Sequence, residues 1–95
     1  MKLSREDVCR IFDDVLERRM TRDAADRWAF EMLQLREVGS LMFVPAADTE
    51  VIWGGIMFLY GVDLGESPGR YLHTDSDIRD AMLTLQTNGT PPMAA

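Results

Sequence analysis

The first regular pattern along the chain is helical. Val8, Ile11, Phe12, Val15 and Leu16 recur at i, i+3, i+4, i+7 and i+8, which gathers them on one face of an α-helix. Ser4 stands at the N-cap position, and Asp7 follows three residues later in a variant of the capping box. Leu3 before the cap and Val8 after it have the spacing of a hydrophobic staple. Asp13, Asp14 and Glu17 fall off the stripe. The pattern predicts a helix over about 5–19. Ala25, Trp28, Ala29, Met32 and Leu35 then keep the same period, with Thr21 as cap and Asp23 near the positive end. Phe30 and Leu33 widen this stripe, so the second helix, about 22–37, is expected to be central, with Gly39 ending it.

Leu41-Met42-Phe43-Val44 is apolar but has no obvious partner strand, and reads as an extended segment packed on the helices. Asp48 or Thr49 is expected to cap a third helix over about 49–60, with Ile52, Gly55, Ile56, Leu59 and Tyr60 in register. Trp53 lies off that line by about 100°. Gly54 and Gly55 each weaken a helix by about 1 kcal/mol relative to Ala, but leave room for a neighbour. Gly61 is suited to end the helix. Gly65, Pro68 and Gly69 make residues 62–73 an irregular loop, pinned by Leu64, Tyr71 and Leu72. Thr74 is expected to cap a last helix over about 75–87, with Asp77 three residues on and Ile78, Ala81, Met82 and Leu85 inward. The expectation is an all-α fold: a small four-helix domain over 1–89 with an irregular loop between the third and fourth helices. Residues 90–95 read as a flexible tail. Phe12 and Trp28, each in mid-stripe, are predicted core residues.

Composition narrows the function. Ninety-five residues make one domain, and 46% hydrophobic content is too high for a disordered chain. No apolar run approaches the roughly 20 residues that span a bilayer. The opening Met1-Lys2-Leu3-Ser4-Arg5-Glu6-Asp7 turns acidic at once and has no signal-peptide apolar region, which predicts a cytoplasmic protein. Cys9 is the only cysteine, so no internal disulfide can form, and its place beside the buried stripe predicts an inert thiol. Sixteen acidic residues against 10 basic ones give a net charge of −6. That argues against direct contact with nucleic acid or an anionic membrane, and permits a basic protein partner. It also suffices simply to keep a small domain soluble, for which about 2–8 charges serve.

Catalytic chemistry finds little to work with. His73 is the sole histidine, too little for a zinc site or a His-assisted nucleophile by any recognisable spacing. Asp13, Asp14 and Glu17 could face a hard cation but lack converging ligands, and read as a solvated face. Asp75, Asp77 and Asp80 lack the Gly and terminal Glu of a calcium loop, and fit helix-dipole stabilisation. The glycines form no phosphate-binding loop. Asp75-Ser76 suggests an acyl carrier protein only until the next residue, where Asp77 replaces the expected Leu. No catalytic residue, cofactor or metal is expected, and the chain reads as a binding protein.

Several segments carry a resemblance. They are Leu3-Ser4-Arg5-Glu6-Asp7-Val8 with Ile11-Phe12-Asp13-Asp14, then Thr21-Arg22-Asp23-Ala24-Ala25-Asp26-Arg27-Trp28-Ala29. Leu59-Tyr60-Gly61-Val62-Asp63-Leu64 and Tyr71-Leu72-His73-Thr74 with Asp77-Ile78 follow. Taken together they resemble small bacterial immunity proteins of contact-dependent growth inhibition and related polymorphic toxin systems. The resemblance implies a cytoplasmic protein that binds and neutralises a toxin domain, often a basic nuclease. It transfers no binding residue. The candidates chosen on charge and aromatic content are Tyr60, Asp63, Glu66, Tyr71, Asp75, Asp77 and Asp80. Asp13, Asp14 and Glu17 form a second patch. The alternative is an acidic regulatory adaptor or antitoxin-like module with no secreted toxin as partner.

Overall fold

Each helix is delimited by local hydrogen bonding. Helix α1 (Arg5–Leu16) starts in the expected capping box: the Asp7 amide donates to Ser4 Oγ at 3.3 Å, and the Ser4 amide donates to Asp7 Oδ2 at 3.0 Å. It ends three residues earlier than the periodicity suggests. Arg18 there adopts φ +64, the amide of Arg19 donates to the Asp14 carbonyl at 2.8 Å, and that of Arg18 donates to Val15 at 3.2 Å. This is a Schellman closure with an arginine where glycine is usual. Helix α2 (Arg22–Glu37) is capped by Thr21, whose Oγ1 accepts from the Ala24 amide at 3.0 Å. Gly39, at φ +75, closes α2 in the same way, with Ser40 donating to the Leu35 carbonyl at 2.8 Å.

The computed structural model describes residues 1–67, 70–71 and 73–87; the side chains of 66, 67, 70 and 71 and the expected tail at 90–95 lie outside the described set. The 41–44 segment does have a partner. Strand β1 (Lys2–Leu3) pairs in parallel with β2 (Met42–Phe43), Lys2 opposite Met42 and Leu3 opposite Phe43. A strand of two residues is too short for alternation to reveal. After a cis Val44–Pro45 peptide comes a 3₁₀ turn (Ala46–Asp48), then helix α3 (Thr49–Leu59). Neither expected cap serves α3. Asp48 makes no cap bond because its carboxylate accepts from Arg5 Nε at 3.0 Å, and Thr49 Oγ1 donates to the Ala46 carbonyl at 2.6 Å. The loop expected to be irregular carries a short antiparallel ladder, β3 (Gly65–Ser67) against β4 (Arg70–Tyr71). Helix α4 (Asp75–Thr87) opens in a second capping box, with the Asp77 amide donating to Thr74 Oγ1 at 3.2 Å and the Thr74 amide to Asp77 Oδ2 at 3.0 Å.

The all-α architecture is thus as expected, with four main helices and two minimal strand pairs among the described residues. Its centre is α3 rather than α2: α3 packs against α1, α2 and α4, and buries Ile52, Gly55, Ile56 and Leu59. Helix α2 buries only Ala25, Ala29 and Met32. Small side chains let α2 approach α3 closely and push the bulky ones to the flanks, so Trp28 is half-buried and Phe30 is 48% exposed. Phe12 is fully buried, as expected, with Leu3, Val8, Val15, Val62, Ile78 and Leu85 around it in one core. No helix among the described residues is long and apolar enough to cross a membrane.

The paired glycines of α3 have opposite surroundings. A Cβ on Gly55 would lie 3.1 Å from Val8 Cγ1 and 3.3 Å from Leu85 Cδ2, whereas one on Gly54 meets nothing within 4 Å. Gly54→Ala should therefore stabilise the protein by about 0.5–1 kcal/mol, the helix-propensity gain alone. Gly55→Ala should fall short of that because Val8 and Leu85 must shift. Phe12→Ala should cost about 3–5 kcal/mol and Trp28→Ala distinctly less, in line with their burial. Urea denaturation of the four variants checks the order; equal effects at Gly54 and Gly55 would contradict the packing described.

Candidate functional site

A polar clamp at one end of the molecule orders the elements around it. The Arg22 side chain is 9% exposed, at the start of α2. Its Nη1 donates to the carbonyl of His73 at 2.7 Å and to that of Val62 at 3.3 Å, and its Nη2 to Asp75 Oδ1 at 3.0 Å. Asp75 Oδ2 accepts from Arg18 Nη2 at 2.9 Å. One turn along α2, Asp26 Oδ1 accepts from the Gly61 amide at 2.6 Å, where the chain leaves α3 at φ +90. The N-terminal half of α2 therefore holds both the exit of α3 and the entry of α4. The left-handed backbone of Arg18 is held by the Schellman bonds to Val15 and Asp14, and its side chain reaches Asp75 from there. The Arg18 hydrogen bond, then desolvation opposing it and the charges of Arg18 and Arg22, leave the Asp75 carboxyl below its ordinary range.

This clamp accounts for several candidates named from sequence. Asp75 faces Arg18 and Arg22, and Asp77 serves the α4 cap. Asp80 is exposed with no partner for its carboxylate among the described residues, while its carbonyl accepts from Thr84 Oγ1 at 3.1 Å. Asp63 is half-buried in the turn after α3 and makes no ion pair among the described residues. Glu66 and Tyr71 lie on β3 and β4, with side chains outside the described set. In the second patch, Arg19 bridges Asp13 at 2.6 Å and Asp14 at 2.8 Å, and these hydrogen bonds, Asp14 first, raise the Arg19 pKa. Glu17 is exposed at the end of α1.

Tyr60 behaves differently from its expected inward register. It is 45% exposed and stacks on Phe30, ring centroids 6.3 Å apart and planes 19° from parallel. Helices α2 and α3 run antiparallel here, as the Asp26–Gly61 bond at one end and the Arg36–Trp53 contact at the other show. Trp53 and Met57 on α3 and Tyr60 at its C-cap recur at i, i+4 and i+7, and Phe30 and Leu33 line α2 beside them. The result is an apolar seam open to solvent, with Met57 43% exposed. Arg36 lies over the Trp53 ring at 4.2 Å from its centroid, and Trp53 meets Phe43 edge-on at 6.2 Å. The sequence carried a signal for this seam, since Trp53, Met57 and Tyr60 share a helical face distinct from that of Ile52, Ile56 and Leu59.

The isolated nucleophile and base are set apart. Cys9 is half-buried beside Arg5, Glu6 and Gln86; burial first, then the nearby Glu6 charge, push its thiol pKa up. His73 packs its ring on Phe58 at 4.6 Å. Comparison with known proteins adds no relative: no family model, no curated protein and no solved structure matches the chain.

The lowered Asp75 pKa predicts an acid signature. Folding favours the carboxylate, so its stabilisation is complete above the ordinary carboxyl value of about 3.9 and fades as pH falls through the lower folded value. Asp75→Asn should cost about 1–3 kcal/mol at neutral pH, and the gap between parent and variant should shrink below about pH 4. Denaturation curves at several pH values test this; a gap constant through the acid range would contradict it.

Proposed function

We propose that this protein acts by binding rather than by catalysis, as an immunity protein that occupies a basic toxin domain, of which a nuclease is the best-fitting kind. The observation that carries the reading is how the charges are distributed. Arg5, Arg10, Arg18, Arg19, Arg22 and Arg27 are each engaged with an aspartate of the same chain, and Arg36 lies over Trp53. Glu6, Glu17, Glu31, Glu37, Glu50, Asp63 and Asp80 have no ion pair among the described residues. Arg10, Arg18, Arg19 and Arg27 are paired at the surface, with side chains 56–71% exposed, and Lys2 and Arg79 are exposed with no ion pair among the described residues. The unpaired carboxylates outnumber these unpaired cations, so the surface is net acidic. Such a field repels nucleic acid and speeds encounter with a basic cleft. The resemblance of the sequence to immunity proteins supports the same reading.

The gene of an immunity protein lies directly downstream of its toxin gene, which supplies the test. Co-expression with the C-terminal domain encoded immediately upstream should restore growth and give a complex of the two chains. The association rate should fall at least about tenfold between low and physiological salt, as electrostatic steering requires. Purified proteins that ignore each other, with growth still arrested, would overturn the proposal.

A further inference from the structure

We propose that the α2–α3 seam is a docking surface for a protein face that presents an apolar side chain ringed by Lys or Arg. The inference rests on the reading of this chain as a binding protein and goes further, by naming the surface and the chemistry of what covers it. Phe30, Met57 and Tyr60 are each 43–48% exposed. Phe30 stacks on Tyr60, Leu33 lies beside Trp53, and Met57 stands between Trp53 and Tyr60 at helical spacing, which makes one strip along the two helices. Isolated exposed apolar residues are ordinary, whereas a contiguous aromatic strip marks an interaction site. The strip is also held in place. Asp26 fixes the Gly61 amide directly after Tyr60, Arg22 fixes Val62, and Tyr60 and Phe30 brace each other. Aromatic anchors ordered before binding lose little freedom on binding.

Charge selects the occupant. Around the strip, Arg36 is engaged with Trp53 and Phe43, and Arg27 is paired to Asp23 at 2.6 Å. Asp26 is engaged with the Gly61 amide. The carboxylates at the strip are Glu37 beside Trp53 and Asp26 at the Gly61 amide, which share the α2 line of Phe30 and Leu33 at i, i+4, i+7 and i+11, and Asp63 follows three residues beyond Tyr60; none has an ion pair among the described residues. A second copy of the chain would bring the same carboxylates to the interface, and an anionic membrane would be repelled. A basic rim with an apolar centre complements both parts of the seam.

The test uses a probe that needs no knowledge of the partner: an amphipathic helical peptide with a Leu face flanked by Lys, against its counterpart with Glu for Lys. Titration followed by amide NMR should move the resonances of residues 29–34 and 53–63 with the Lys peptide and leave them unmoved with the Glu peptide. Phe30→Ser combined with Tyr60→Ser should weaken the Lys peptide at least about 30-fold, the factor equivalent to about 2 kcal/mol. Met57→Lys, which leaves both aromatic rings intact, should weaken it comparably if the double variant does not fold. Glu37→Gln with Asp63→Asn should weaken it about 5-fold at low salt and reduce its salt dependence. Shifts spread over α1 and α4, equal binding of both peptides, or unaffected binding by folded seam variants would overturn the proposal. So would self-association of the protein through the seam in sedimentation, or binding to anionic phosphatidylserine vesicles that the seam variants abolish. Failure of the upstream-gene test with success here would reject the immunity role and keep the surface; the converse result would keep the role and place its interface elsewhere.

Discussion

The structure depends most on one nearly buried guanidinium. Arg22 reaches three points 40 to 53 residues further along the chain: the turn after α3 through Val62, the approach to α4 through His73, and the first residue of α4 through Asp75. A planar, permanently charged fork suits this task, because its donors reach two carbonyls and a carboxylate at fixed angles. The alternative for such a charge, burial without partners, would be strongly unfavourable. The apolar core alone does not set these angles, since burial is non-directional. Hydrogen bonds from Arg22 and to Asp26 fix where α3 stops, and so fix Tyr60 against Phe30 and the geometry of the seam.

Much of the fold was legible in the chain. The stripe of α1, both Ser/Thr-to-Asp capping boxes, the Gly39 stop and the burial of Phe12, Ile52, Ile56 and Ile78 follow from periodicity and cap chemistry, which are local properties. What was not legible is non-local. The pairing of β1 with β2, Lys2 opposite Met42 and Leu3 opposite Phe43, joins two-residue segments forty positions apart. The central place of α3 depends on Ala25 and Ala29 admitting it, while helical periodicity alone favoured the bulkier α2. Asp48 lost its cap role to Arg5, which no local rule reveals.

The candidate site divides the same way. Carboxylate density drew attention to residues 60–80, but a count of carboxylates does not show which are already paired. Asp75 and Asp77 hold the start of α4, whereas half-buried Asp63 and exposed Asp80 have no ion pair among the described residues. Arg19 likewise ties Asp13 and Asp14 together. Residue type singles out Tyr60, which is half-exposed in company with Phe30 rather than with the acidic helix. Which carboxylates are paired and which are left to solvent is a property of tertiary structure alone, whereas the net acidity of the surface follows from 16 acidic against 10 basic residues.

Native-state hydrogen exchange on the parent and on Arg22→Met tests the clamp most directly. If Arg22 fixes the exit of α3 and the entry of α4, the variant should lose protection at the amides of 60–64 and 77–80, while those of α1 from Val8 to Val15 keep most of theirs. Unchanged protection at 60–64 and 77–80, or an equal loss throughout the molecule, would contradict the claim that this one side chain sets the geometry of the clamp.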